Sequence, residues 1–146
     1  MKIWVDLRST RAGMTPEQVQ EKASMVLREL DLEEPELSLL LVDDPEMAKL
    51  NLKFLGRKGP TNVIAFSQLE GQGPRGPSVL LGDVVISLET CQREAQEAGM
   101  EFQERFMELL VHGILHLLGH EHEDDPQGAA LMESEAQRIL ARIMHQ

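Results

Sequence analysis

Apolar residues along this chain recur in two rhythms, every second residue or every third to fourth, and the changes of rhythm predict nine elements. Lys2 to Leu7 alternates as a half-buried strand does. Thr15-Pro16-Glu17-Gln18 then starts a helix that runs to about Leu30, with Thr15 as N-cap, Pro16 in the first turn and Gln18 completing a capping box. Leu37 to Val42 is a continuous apolar run between acidic residues, the mark of a buried central strand. Asp44-Pro45-Glu46 opens a second helix, in which Met47, Leu50 and Phe54 recur at helical spacing until Gly56. Val63 to Phe66 and Leu80 to Ile86 are further strands. The GQGPRGP segment between them can form neither helix nor central strand, so a mobile loop is expected there. Ser87 to Ala98 and Phe102 to Leu118 read as helices stopped by Gly99 and Gly119. After an acidic turn, EDDPQG, a last amphipathic helix spans 129 to 144, with Leu131, Ile139, Leu140 and Ile143 toward the core. The order β-α-β-α-β-β-α-α-α, without repeat or linker, predicts an α/β (α+β) fold: one domain over residues 1–146, a mixed sheet of about four strands covered by helices.

With 146 residues, 42% of them hydrophobic, the chain can bury a continuous core without covalent staples. No run approaches the roughly 20 apolar residues that cross a bilayer. The start MKIWVDLRST also lacks a signal-peptide segment, so a cytoplasmic protein with no membrane partner is expected. Cys91 stands alone, which suits a reducing compartment and rules out a cysteine-based zinc site within the chain. A net charge of −11 weighs against broad binding to polyphosphates, and no DNA partner is expected. Residues 51–75 run against that trend: Lys53, Arg57, Lys58 and Arg75 face only Glu70, a local excess of +3.

The specific chemistry sits in VHGILHLLGHEHEDD, residues 111–125. His112 and His116 are four residues apart, so on a helix they project from one face a turn apart and can reach a single ion. Gly119 permits the bend that ends the helix, and the returning chain can bring up a third imidazole. His122 matches the third position of an HxxxHxxGxxH zincin-type site; His120 could replace it or support it from behind. Three neutral imidazoles leave a fourth tetrahedral position open, which separates a catalytic zinc from a structural one. Zn²⁺ is the expected ion, although such a site also accepts Ni²⁺, cobalt or copper. A zinc peptidase of this pattern carries a glutamate directly after the first histidine, as general base. Here that position is Gly113, and the alternative carboxylates, Glu108 and Glu121, lack the protease spacing.

HGILHLLGHEH, residues 112–122, closely resembles the HGxLHLxGxDH segment of the YbeY family of endoribonucleases. GPTNVIAFS, residues 59–67, is similar to the family's PTDVLSFP, and LLGDVVIS, residues 80–87, to its LGD strand. The resemblance extends over nearly the whole chain. It implies a zincin-like domain, one zinc ion on His112, His116 and His122, and metal-dependent cleavage of single-stranded RNA in ribosomal RNA maturation and ribosome quality control. It also suggests a supporting catalytic or structural role for Asp83, at the end of a strand facing the site. The chain departs from the family at Leu55, where an arginine is usual; Arg57 or Lys58 could deliver that charge to substrate. Glu121 replaces an aspartate, and Ala65 and Ser67 replace a serine and a proline.

Phosphodiester cleavage needs a cation for the charge gathering on the phosphate oxygens and an activated nucleophile, and zinc supplies both. Without tyrosine and with 3% aromatic residues, the chain has few platforms for reading bases, so specificity is expected from a partner such as a ribosomal particle. Two other readings remain at this stage: a small zinc metallopeptidase, and a non-catalytic binding module in which the metal only ties a helix end to a loop.

Overall fold

The computed structural model describes residues 1–9, 13–68, 79–119 and 126–144. The GQGPRGP segment with Arg75, the His120-Glu121-His122 stretch and His145 lie outside the described residues. Within them the elements follow the expected order: β1 (Lys2–Leu7), α1 (Pro16–Glu29), β2 (Pro35–Val42), α2 (Asp44–Leu55), β3 (Val63–Ser67), β4 (Val79–Ser87), α3 (Leu88–Ala98), α4 (Phe102–Leu117) and α5 (Pro126–Met144). Local chemistry sets many of these limits. Thr15 Oγ1 accepts from the Gln18 amide at 3.1 Å while Gln18 Oε1 accepts from the Thr15 amide at 2.9 Å, so two N–H groups at the start of α1 are satisfied reciprocally. Gly56 and Gly99 end α2 and α3 in the left-handed conformation.

The strands form a four-stranded mixed sheet in the order β1-β2-β4-β3, with β1, β2 and β4 parallel and β3 antiparallel along β4. The continuous apolar runs of β2 and β4 thus take the two central positions, where both faces are covered. One face carries the main core: Leu37, Leu39 and Leu41 of β2 and Val84 and Ile86 of β4 pack with α1, α4 and α5 residues such as Leu27, Phe106, Leu110, Ile114 and Ile139. The other face is smaller, with Ile64 and Val85 against Met47 of α2.

One expected core position differs, and one apolar position of α2 stays exposed. Leu131 is 68% exposed, and α5 instead buries Met132, Ala136, Ile139 and Ile143, a stripe of i, i+4, i+7 and i+11 from which Leu131 is rotated by about 100°. The helix also begins at Pro126, so the PQG of the expected turn belongs to its first turn. On α2, Phe54 is 53% exposed and Asn51 is buried, its Nδ2 donating to the Gly59 carbonyl at 2.9 Å. Phe54 finds an edge-on partner in Phe66 at 5.3 Å rather than a place in the core.

Asp44 ties α2 to α3. Its Oδ1 accepts from Ser87 Oγ and Thr90 Oγ1, each at 2.6 Å, and Oδ2 from Arg93 at 3.2 Å. Burial pushes this carboxyl up, but the bonds from Ser87, Thr90 and Arg93 outweigh it and hold the group below the usual aspartate range. Its stabilising contribution is therefore complete above about pH 4, the ordinary aspartate value, and is lost as pH falls through the depressed folded value. Asp44→Ala is expected to cost about 1–3 kcal/mol at pH 7 in urea unfolding, because two buried hydroxyls lose their acceptor. The gap between the two proteins should narrow below pH 4; an equal gap at pH 3 and pH 7 would contradict this account.

Candidate metal centre

α4 is apolar almost all round because it packs on the sheet with α3 and α5 flanking it. Between Arg105 and Leu117 the residues that are not buried are Arg105, Glu108, His112 and His116, a single polar stripe at helical spacing. Both described histidines therefore project from one face, a turn apart, at the C-terminal end of the helix. The stripe is braced at its start: Arg105 donates to Glu94 Oε1 at 3.0 Å and 3.1 Å and to Glu108 Oε1 at 2.8 Å.

His112 is oriented by its own helix. Its Nδ1 lies 2.7 Å from the Glu108 carbonyl oxygen, which can only accept, so Nδ1 carries the proton and donates. In the neutral ring Nε2 then presents its lone pair outward. This is the arrangement of a metal-ligating imidazole, whose second nitrogen is anchored to a backbone carbonyl. The donor set fits a zinc ion in this respect. The third ligand expected from the sequence, His122, lies outside the described residues, and among those described no cluster of three or more His, Cys, Asp or Glu is assembled.

The end of α4 is held in place by the sheet. Ser67 Oγ donates to the Leu117 carbonyl at 2.9 Å, which satisfies one of the unpaired carbonyls of the last turn. Beyond it, Gly119 has φ +92°, a value that glycine adopts without strain. Ser67 thus positions the helix end from which the chain departs toward His122. The sequence offered one weak sign of this role, a hydroxyl residue at the end of a strand.

Gly113 is rotated about 100° around the helix from His112 and faces the sheet. A Cβ there would lie 2.7 Å from Val84 Cγ1 and 3.2 Å from Val63 Cγ2. The glycine is therefore required by helix-on-sheet packing, and a glutamate at this position would enter the core rather than reach an ion beside His112. Glu108, one turn before His112, has its carboxylate engaged by Arg105. Gly113→Ala is expected to destabilise by about 1–3 kcal/mol, since both β-branched neighbours are stiff. A chemical-denaturation midpoint equal to that of the unaltered protein would refute this.

Asp83 does not face the histidines. Gly82 and Val84 point to α4, so Asp83 and Val85 point to the opposite face, where Asp83 lies between Ser38 and Phe66 in the sheet register. The expectation of a strand end facing the site is corrected by the two-residue period of β4, which places neighbours on opposite sides of the sheet. Arg57 and Lys58 follow Gly56 on an exposed loop. Neither forms an ion pair with another described residue, which leaves both heads in solvent.

A mixed four-stranded sheet, with a histidine pair at the end of the helix packed on it, defines the class: an α/β protein whose polar site sits at a helix terminus. The chain belongs to the Endoribonuclease YbeY family, whose model matches residues 5–144. Curated relatives named Endoribonuclease YbeY include that of Syntrophotalea carbinolica, 39% identical over 97% of this chain and 95% of the relative. That of Geobacter sulfurreducens is 38% identical over 98% and 96%. The solution structure of a Thermotoga maritima protein shares the fold, with a TM-score of 0.65 at 24% identity over 94% of this chain and 86% of that one.

Proposed function

We propose that this chain, acting as one domain in the cytoplasm, is a zinc-dependent endoribonuclease that cuts single-stranded RNA in the 3′-end maturation of ribosomal RNA and in ribosome quality control. Membership of the family and its endoribonuclease relatives support the activity. The observation that carries the metal-site reading is the placing of His112 and His116 a turn apart on the one polar stripe of α4, with His112 Nδ1 anchored to the Glu108 carbonyl. His122 completes the proposed ligand set. A zinc ion held there supplies Lewis-acid stabilisation of the phosphate charge and a nucleophile near neutral pH.

This chain's own residues supply the rest. Ser67 fixes the helix end that carries His116, and Glu108 orients His112 through its backbone. Arg57 and Lys58, exposed on the loop after α2, are proposed to hold the phosphates of the strand. Asp83 is assigned no part in the chemistry, because it lies on the other face of the sheet. The peptidase reading is disfavoured by the packing of Gly113, which leaves no room for that enzyme class's general base. Metal analysis of the purified protein, followed by incubation with end-labelled single-stranded RNA, tests the proposal. Cleavage is expected without chelator and not with it; RNA cutting that continues unchanged in excess chelator would overturn the assignment.

A further inference from the structure

We propose that Phe54 is the surface on which the RNA substrate stacks a base, with Lys53 joining Arg57 and Lys58 on the flanking phosphates; the inference deepens the endoribonuclease reading above and rests on it. Of the chain's four phenylalanines and one tryptophan, only Phe54 and Trp4 are more than half exposed among the described residues. They lie at opposite edges of the sheet, Trp4 on β1 and Phe54 against Phe66 of β3. Their surroundings differ in charge. Residues 51–68 contain Lys53, Arg57 and Lys58 and no acidic residue, whereas Trp4 shares its face of β1 with Lys2 and Asp6. An exposed ring among cations, in a chain of net charge −11, is the combination that holds a single strand: a π face for a base and positive charge for its backbone.

The platform is fixed before any strand arrives. The Phe54 ring meets Phe66 edge-on at 5.3 Å, and Phe66 is itself packed with Met47, Ile64 and Val85. Buried Asn51 ties the following loop back to α2: its carbonyl accepts from the Arg57 amide at 3.3 Å and its Nδ2 donates to the Gly59 carbonyl at 2.9 Å. Arg57 and Lys58 are therefore held close to Phe54 in a set conformation. Lys53 Nζ lies 5.2 Å from the centroid of the Phe54 ring. A cation–π contact at so exposed a site is weak, so this amine can swing to a phosphate as a base takes its place. The position suits the site as well. Phe54 reaches Phe66 from one face of the sheet, and the end of α4 reaches the next residue, Ser67, from the other. β3 is an edge strand of the described sheet, so a single strand passing round it can lay a base on Phe54 and bring its following phosphates toward the histidine helix. Asp83, beside Phe66 on the inner side of the platform, repels phosphate and leaves the edge as the path.

The test uses the whole, zinc-loaded chain and two end-labelled substrates of equal length, an oligoadenylate and an oligouridylate, with kcat and KM measured for each. Phe54→Leu removes the ring and keeps an apolar side chain, Phe54→Trp keeps a ring, and Trp4→Leu removes the other exposed one. Circular dichroism and thermal melting confirm that all are folded, as the exposure of both positions leads one to expect. The unaltered protein should favour oligoadenylate, because purines stack more strongly. Phe54→Leu should raise KM for oligoadenylate roughly 5-fold or more and lose the preference, with kcat within about twofold. Phe54→Trp and Trp4→Leu should keep both KM and preference within about twofold. Unchanged KM and preference in Phe54→Leu, beside normal cleavage by the unaltered protein, would overturn the platform alone and turn this patch toward a protein partner. A loss that Phe54→Trp fails to restore, or an equal loss in Trp4→Leu, would overturn it too. If the unaltered protein cleaves neither RNA, the endoribonuclease reading itself has failed.

Discussion

His116→Ala is expected to give a folded protein that no longer retains zinc and cleaves RNA at least about 100-fold more slowly, since even the supporting residues of such centres are worth 10–100-fold. The fold should survive because His116 belongs to the one polar stripe of an otherwise buried helix, and its neighbours Ile114, Leu115 and Leu117 carry the packing. A half-buried residue outside the core contributes little to stability. Thermal melting with and without zinc separates the two effects. The unaltered protein should gain melting temperature with added zinc, by mass action on the folded state, whereas the variant should not. If the variant is unfolded without metal while the unaltered protein is folded without it, His116 is a packing residue and the centre has been misread.

Gly82→Ala is expected to be the most damaging single-methyl change in the described sheet. Gly82 has φ +139°, in the region L residues avoid, and follows the bulge at which Leu81 is skipped in the pairing of β4 with β2. A Cβ would sit 2.1 Å from the Phe66 carbonyl oxygen and 3.0 Å from Leu117 Cδ2. The first contact is with backbone, so relief requires β3 to move. Strain of about 1–3 kcal/mol and a clash of about 1–3 kcal/mol are together a large share of the stability of a small domain, about 5–15 kcal/mol. Urea unfolding should show a loss of at least about 2 kcal/mol, and any folded remainder should bind zinc more weakly, because β3 carries Ser67 and Ser67 holds the end of α4. An unchanged unfolding midpoint would contradict the geometry.

Much of this was legible along the chain because it is local. The capping box at Thr15, the stop at Gly56 and the spacing of His112 and His116 depend on residues within four or five positions of one another, and the structure places each as the spacing predicts. Asp83 was misplaced because LGD resembles a strand end near the site, while the side on which an aspartate emerges depends on the register and on the bulge before it. Leu131 differs for a related reason: several stripes of α5 are apolar enough to pack, and its contacts with α4 and α1 select one.

The sequence by itself determined the order and approximate extent of the helices and strands, the two-histidine spacing and the family, since each follows from short-range periodicity or from a motif. Tertiary structure alone decided the strand order β1-β2-β4-β3, the sheet face to which Asp83 belongs, the packing need for Gly113 and the meeting of Phe54 with Phe66. Those outcomes depend on which surfaces meet when the core closes. Contacts between residues such as Phe54 and Phe66 are set by the packing of α2 on the sheet, and no local pattern encodes them.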